Sequence, residues 1–408
     1  MYKVIEGGVC AATGFKANGL DANIKNNGKK DMAMVFSETP CVTAGTFTTN
    51  KVKAAPVKWD YKVVNESLYS QAVVVNTGIA NAGTGPLGYS YCEKMAETAA
   101  GVLGIPAEAV LVASTGVIGK QLPIDKITAG IKKLPEGLAH DKEHALMAAE
   151  AIMTTDTRAK NVAVSFTVDG TTVTVGGMCK GAGMIHPNMA TMLCFITTDC
   201  AIEKTLLQKA LSEIVEETFN MITVDGDTST NDSCVVLANG MAGNKVIASE
   251  DAAYKEFYEA LNYVLLELSK MIAGDGEGAT SLFECRIVNA PTKKDAKILA
   301  RAVVGSNLAK AAVYGHDANW GRILCAMGYS GADFNPDTVD ISYISEFGTV
   351  KLCENSQDLD FDEETATRIL SAEHVIALCD CKAGEYSANA YGCDLTHEYV
   401  SINADYRS

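Results

Sequence analysis

The chain reads as an α+β protein, its helices and strands layered without the strict strand–helix alternation of a doubly wound sheet. Two observations point there: strand-like and helical segments are mixed in irregular order, and one clear hairpin interrupts them. β-Branched or apolar runs predict strands at 33–37, 71–75, 110–113, 234–238, 284–289 and 397–402. Apolar spacing predicts helices over 90–103, 142–153, 252–272 (ended by Gly274), 295–313 and 363–378. The hairpin is VAVSFTV (162–168), Asp169-Gly170 and TTVTV (171–175), two β-branched runs joined by a type I′ dipeptide. Its second strand leads into Lys180-Gly181-Ala182-Gly183. TMLCFIT then reads as a buried strand opening at Thr191. A helix follows, with Leu206, Leu207, Ala210, Leu211, Ile214, Val215 and Phe219 at 3.6-residue spacing.

At 408 residues, 48% hydrophobic and 21% charged, the chain is long enough for two or three domains and has an ordinary folded composition. A net charge of −16 without Lys/Arg clusters argues against a nucleic-acid partner. No run of 18 apolar residues predicts a membrane span, and the opening MYKVIEGGVCAATG shows no signal-peptide pattern. The thirteen cysteines are scattered, with a lone CxC at Cys379 and Cys381, so no metal site is predicted. Reduced thiols in a cytoplasmic protein are the simplest account.

The chemistry gathers around KGAGMIHPNMATMLCFITTD, Lys180 to Asp199. Here a hydroxyl residue, Thr191, follows a small residue behind a Gly-rich, Pro-containing turn. That suits a precursor that cuts itself between Ala190 and Thr191, giving pieces of 190 and 218 residues. A new N-terminal Thr191 would carry its own base, an α-amine with an unperturbed pKa of about 7.7–8.0. On its own, a Thr opening a strand is simply a β-former.

Neighbouring motifs give that reading company. VLVASTGVIGK (110–120) runs into a Gly-flanked turn that can aim the Thr115 hydroxyl and the Gly116 N–H at one point, as an oxyanion hole requires. A plain strand-to-helix turn is the alternative. VDGDTSTNDS (224–233) departs from a calcium loop and reads as a rigid polar loop supporting a site. AGDGEGAT (273–280) lacks the strand context and GK[ST] of a phosphate loop, and its Glu277 would suit an ammonium group. Asn319, Trp320 and Arg322 of GHDANWGR could meet a carboxylate or simply pack. His140 and His144 stand four apart on a predicted helix but lack the HExxH pattern of a metal site and read as solvent-facing side chains, and His186 either takes part near the cut or owes its place to Pro187. GxSxG is absent, and neither a GxGxxG nor a P-loop reading survives scrutiny.

Taken together, these strings resemble the bifunctional ornithine acetyltransferase / N-acetylglutamate synthase family, a self-cleaving group of N-terminal-nucleophile-like enzymes. The resemblance runs from GGVCAATGFKANGLDANIK (7–25) through AGTFTTNKVKAAPVKW (44–59), NTGIANAGTG (76–85), STGVIGK (114–120), IMTTDTRAK (152–160) and KGAGMIHPNMATML (180–193). VDGDTSTND (224–232), GDGEGAT (274–280), GHDANWGR (315–322) and GCDLTHEYVSINADYRS (392–408) complete it. It implies a layered αββα sandwich with an additional C-terminal α/β domain. Residues 1–190 would form an alpha chain and 191–408 a beta chain, in which 191–283 complete the core and about 284–408 form the C-terminal domain.

By the same resemblance Thr191 is the nucleophile, Ala190–Thr191 the cleavage site, and Thr115 with Gly116 the oxyanion hole. Thr154, Lys180, Thr191, Glu277, Asn403 and Ser408 match substrate-binding positions. Ser408 stands where the family usually has Thr, and Ile79, Gly83, Ser281 and Ala318 are further departures. The implied reaction is ping-pong acetyl transfer from N-acetylornithine to glutamate, with no cofactor and with acetyl-CoA as an additional donor in bifunctional members. The implied assembly is a heterotetramer of two alpha and two beta chains. A self-cleaving aminopeptidase of the DmpA type, which hydrolyses rather than transfers, is the alternative.

Overall fold

The computed structural model describes residues 1–186 and 192–405. Among these, nine strands form one continuous sheet: β1 (Tyr2–Ile5), β2 (Phe15–Leu20), β3 (Met32–Phe47), β4 (Ser70–Ile79), β5 (Val110–Val117), β6 (Lys160–Val168), β7 (Thr171–Lys180), β8 (Leu193–Thr198) and β9 (Ser233–Ala238). Their order is β1-β6-β7-β8-β9-β3-β4-β5, with β2 against β3.

β3 divides this sheet into two layers. Met32–Phe36 pair with β2 and β4, whereas Val42–Phe47 pair with β9. The register on β4 shifts between Phe36 and Cys41, a stretch containing Pro40, which has no N–H to give a ladder. Beyond it, β8 and β9 are covered on both faces. Phe195, Val235 and Leu237 join Val73 and Val75 in one core, while Cys194, Ile196, Cys234 and Val236 join a second core. Strand period 2 explains that division.

Helices close the outer faces. α1 (Ala55–Glu66) and α2 (Gly85–Leu103) pack on β5, α3 (Ile124–Lys133) on α2, and α4 (Lys142–Ala151) on β2 and β3. On the opposite side α5 (Lys204–Glu217) covers β3, and α6 (Ala252–Ala273) covers β6 and β7. α6 shows how the sequence builds such an element. Asp251 accepts the Ala253 and Tyr254 N–H groups at its start, a cap worth about 0.5–2 kcal/mol. Phe257, Leu261, Leu265 and Leu268 then align on the buried face, each contributing about 1.5–3 kcal/mol. The result is helix–sheet–sheet–helix, the α+β sandwich expected.

A second, mixed sheet follows from β10 (Leu282–Ala290), β11 (Asp340–Ser345), β12 (Gly348–Glu354), β13 (Gln357–Asp358), β14 (His374–Asp380) and β15 (Tyr386–Cys393). Its order is β13-β12-β11-β14-β10-β15, and β10–β14 is its parallel pair. α7 (Lys293–Gly305) packs on β10 and β15, and α10 (Glu363–Leu370) on β11 and β12. α8 (Asn307–Tyr314) and α9 (Trp320–Gly328) lie between them in the chain, and α11 (His397–Asp405) ends the described residues.

Three expected elements change. The helix predicted over 363–378 stops at Leu370, and 374–380 is β14. Val375, Ala377 and Cys379 are fully buried at period 2, and pairing to β10 and β11 overrides the helical reading. The predicted strand 397–402 is α11, because among the described residues no strand pairs with it and it docks on the Gly278 loop instead. The helix predicted over 295–313 is two, broken at Ser306, whose hydroxyl caps α8 through the Ala309 N–H. The hairpin is as read: Asp169 and Gly170 have φ of 47° and 81°, both positive as a type I′ turn requires. All thirteen cysteines are free thiols, and only Cys325 is exposed.

Candidate active site

The site begins where the parallel strands β4 and β5 end. Thr77 pairs with Thr115 and Gly78 with Gly116, and the register then slips at Ile79. Gly116 has φ 128°, and a Cβ there would lie 2.3 Å from the Gly78 carbonyl carbon. Only glycine fits that approach. Asn231 fastens both strand ends, its Nδ2 donating to the Ala80 carbonyl at 2.6 Å and the Ser114 carbonyl at 2.7 Å. The Thr230 hydroxyl donates to Asn231 Oδ1 at 2.6 Å and so orients the amide. Thr115 and Gly116 are thereby presented rigidly.

A buried ion cluster holds the opposite wall. Lys160, fully buried at the start of β6, pairs with Asp156 and Asp275. Asp156 also accepts the Gly181 N–H at 2.7 Å and the Thr154 N–H at 3.0 Å. Asp275 accepts the Thr157 N–H and hydroxyl. One lysine therefore ties together the loops 154–157, 180–183 and 274–278. Burial alone would raise the Asp156 pKa, but the Lys180 and Lys160 charges and the Gly181 N–H outweigh it and hold it at about 2. Burial pulls Lys160 down, and the two aspartates carry it above the usual lysine value. Such a pair is costly to break, since removing one partner leaves the other charged and dry.

Glu277 is placed by glycines and by the last helix. Its N–H donates to the Ala182 carbonyl at 2.9 Å, and its carboxylate lies against Gly183, where a Cβ would approach within 2.4 Å. Asn403 Nδ2, on α11, donates to Glu277 Oε2 at 2.7 Å. α11 itself sits on Gly278, φ 70°, where a Cβ would strike Glu398 and the Tyr399 N–H. Thr396 donates to the Gly278 carbonyl, and Asp394 accepts the Thr280 and Ser281 N–H groups. The GCDLT string thus docks the C-terminal segment on the GDGEGAT loop.

These walls enclose a cavity of about 140 Å³ lined by Thr115, Gly116, Thr154, Lys180, Glu277 and Asn403, together with Ala80, Gly183 and Ser229–Asn231. Six residues singled out in the sequence therefore meet in one place. Ala190, Thr191 and Ser408 lie outside the described residues. Met192 lines a small adjoining space with Thr115, Lys180, Ser229 and Asp232. Among the described residues, Lys180 has no salt-bridge partner. Its ammonium and the Glu277 carboxylate give the cavity two opposite poles.

Other candidates lie elsewhere. Trp320 donates to Asp358, Arg322 to the Leu308 carbonyl, and Asn319 caps α9, so NWGR shapes the C-terminal layer. His140 bonds the Phe15 carbonyl, and His144 bonds Asp141 at the start of α4. His186 turns into a separate cleft, between Thr223 Oγ1 at 3.0 Å and Arg301 at 2.9 Å. Burial and the Arg301 charge lower its pKa. Sequence reading took 224–233 only as a supporting loop and did not single out Asn231, Asp156 or Lys160. The i, i+4 spacing of Asp156 and Lys160 was a visible signal for the last two.

A small cavity with two charged poles beside a fixed hydroxyl and amide defines an enzyme acting on a small charged molecule. The ArgJ family model matches residues 16–408, and the chain belongs to that family. It is 53% identical to arginine biosynthesis bifunctional protein ArgJ 1 of Clostridium acetobutylicum over 97% of this chain and 96% of that one. It is 49% identical to the ArgJ bifunctional protein of Caldanaerobacter subterraneus over the full length of both. A solved ArgJ structure from Bacillus halodurans shares 46% identity at a TM-score of 0.50, covering 52% of this chain and 97% of that chain.

Proposed function

We propose that the protein transfers acetyl from N2-acetylornithine to glutamate, releasing ornithine and N-acetylglutamate, in arginine biosynthesis. The observation that carries this reading is the single cavity in which Thr115 and Gly116 face Lys180 and the Glu277–Asn403 pair. N2-acetylornithine carries an α-carboxylate and a cationic side-chain amine, its α-nitrogen being an amide, so its recognition needs one group for an anion and one for a cation; glutamate shares the α-carboxylate. In this reading Lys180 receives a carboxylate and Glu277 an ammonium, each through a charge-assisted hydrogen bond.

Thr191, freed by cutting after Ala190, attacks the acetyl carbonyl through Oγ while its α-amine takes the proton. Thr115 Oγ and the Gly116 N–H receive the developing oxyanion, and loss of one such donor costs about 2.7–4 kcal/mol of barrier. Ornithine departs with the proton. The glutamate amine then attacks the acetyl ester and leaves as N-acetylglutamate. No cofactor enters this exchange, and acetyl-CoA acylating the same Thr191 would add a second activity, direct synthesis of N-acetylglutamate. Thr154 and Ser408 complete the substrate contacts.

Self-cleavage, a heterotetramer of two alpha and two beta chains, and a cytoplasmic location belong to the same reading. The solved Bacillus halodurans chain corresponds to 52% of this one, about the size of the piece expected after Thr191, which supports cleavage. No described helix is long and apolar enough to cross a membrane. Family membership favours transfer over DmpA-type hydrolysis. Incubation with N2-acetylornithine, with and without glutamate, tests the proposal: N-acetylglutamate should form in step with ornithine, and release of free acetate at the same rate without glutamate would make the protein a hydrolase.

A further inference from the structure

The string GFKANGLDANIK has no part in the proposed chemistry, yet its last residue, Lys25, reaches the back of the cavity. Residues 21–31 join β2 to β3 as a loop wound around Asp31, which is fully buried. The Asp31 carboxylate accepts the Ala22 N–H at 2.7 Å, the Ile24 N–H at 2.6 Å and the Lys25 N–H at 3.0 Å. Its carbonyl accepts the Thr77 N–H at 2.9 Å, which fastens the loop to the end of β4. There the Lys25 stem crosses Gly78, where a Cβ would lie 3.0 Å from Lys25 Cγ. Gly78 is the residue that pairs with Gly116. Beyond it, Lys25 Nζ donates to the Met153 carbonyl at 2.8 Å.

The Met153 carbonyl and the Thr154 N–H are two edges of one planar peptide unit. Asp156 Oδ2 accepts that N–H at 3.0 Å. A lysine thus holds one edge and a carboxylate the other, and hydrogen bonds to charged groups are roughly twice as strong as neutral ones. Turning the peptide plane would break both. We infer that Lys25 is a positioning residue for the acetyl transfer: it locks the 153–154 peptide, and through it holds Thr154 at a fixed place on the cavity wall relative to Gly116. The assignment rests on the function proposed above, in which Thr154 contacts the substrate.

Lys25 acts from behind the wall. Thr154, Thr155 and Gly116 line the cavity, and Lys25 does not. Burial, with the Lys29 and Lys180 charges, lowers its pKa, against the Asp31 and Asp156 carboxylates. Its two parts do different work. The stem rests on Gly78 and keeps the end of β4 in place, whereas the ammonium reaches the peptide that carries Thr154. A group that binds substrate and transition state alike shows itself in KM, and a donor that meets only the transition state shows itself in kcat. Losing the ammonium alone should therefore weaken substrate binding and leave the Thr115–Gly116 donors working.

The test is Lys25→Met, which keeps the stem and removes the donor, read in KM and kcat for N2-acetylornithine with glutamate as acceptor. KM should rise about tenfold or more while kcat stays within about threefold of wild type. In a Thr154→Ala background the same substitution should raise KM no further, because the ammonium acts through Thr154. An unchanged KM in Lys25→Met overturns the assignment, as does a fall in kcat as large as the rise in KM. Increases in KM that multiply in the double variant overturn it too. Should Lys25→Met not fold, Lys25→Arg takes its place: it keeps the charge and a donor, so KM should stay within about threefold of wild type. A tenfold rise in KM for folded Lys25→Arg, by about that factor or more, then refutes the assignment. Wild-type protein that makes no N-acetylglutamate from N2-acetylornithine refutes the proposed function itself, and the two failures are thereby told apart.

Discussion

Glu277 is held from three directions, by the Ala182 carbonyl behind it, by Asn403 Nδ2 on one oxygen and by the bare Gly183 backbone on its carboxylate face. That arrangement fixes a negative charge without neutralising it. Glu277→Gln should therefore lower kcat/KM by about 10- to 150-fold, the value of a hydrogen bond to a charged group at about 1.5–3 kcal/mol. Gly183→Ala should reproduce much of that loss with unchanged circular dichroism, since its methyl would displace the carboxylate; unaltered kinetics would show that the carboxylate position is immaterial. Thr115→Ala should lower kcat by about 10²–10³-fold at nearly constant KM. A loss confined to KM would make Thr115 a binding group. Glu277, Thr115 and Lys180 were legible because each sits in a string whose glycines announce a close backbone approach. Asn231 was not, because its work is to bind the carbonyls of Ala80 and Ser114, which are remote in sequence.

At the scale of elements, the loops 154–157, 180–183 and 274–278 behave as one unit because Lys160 lies between Asp156 and Asp275. Asp156→Asn should destabilise the protein by about 1.5–3 kcal/mol, the value of a hydrogen bond to a charged group, since Lys160 keeps Asp275 as its ion partner. The folded-state pKa of Asp156, about 2, lies below that of an unfolded aspartate, about 3.9. Its contribution is therefore complete above that higher value and is lost as pH falls toward the lower one. Urea midpoints of wild type and Asp156→Asn should converge on acidification through that window, and a gap that stays constant would exclude the ion cluster as its source. Elements whose pattern is local, such as α6 and the β6–β7 hairpin, could be read directly. β14 could not, since a segment rich in helix formers becomes a strand only when β10 and β11 lie on either side of it. Likewise 397–402 is β-branched enough to suggest a strand, yet it meets a glycine loop instead of a sheet edge.

For the whole molecule, the two halves on either side of residue 190 share one sheet: β7, which leads to the proposed cut, and β8, which leaves it, are hydrogen-bonded neighbours. Cutting therefore need not separate the pieces, and a cut protein should unfold in one cooperative transition. Intact mass under denaturing conditions should show two chains, about 20 and 23 kDa, because 190 of 408 residues at 43.1 kDa fall before Thr191. Thr191→Ala should remain a single chain. The layered fold was legible in outline from mixed, irregular strand and helix patterns, whereas the bend of β3 into two layers depends on partners 30 to 200 residues away. The central claim is that the acetyl group passes through Thr191, and one measurement meets it directly. Purified protein mixed with N2-acetylornithine and quenched in acid should carry one acetyl group on the larger chain, mapped by peptide mass spectrometry to its N-terminal Thr191, and that group should vanish when glutamate is added. Full transfer to glutamate with no acetylated chain at any time would contradict the account.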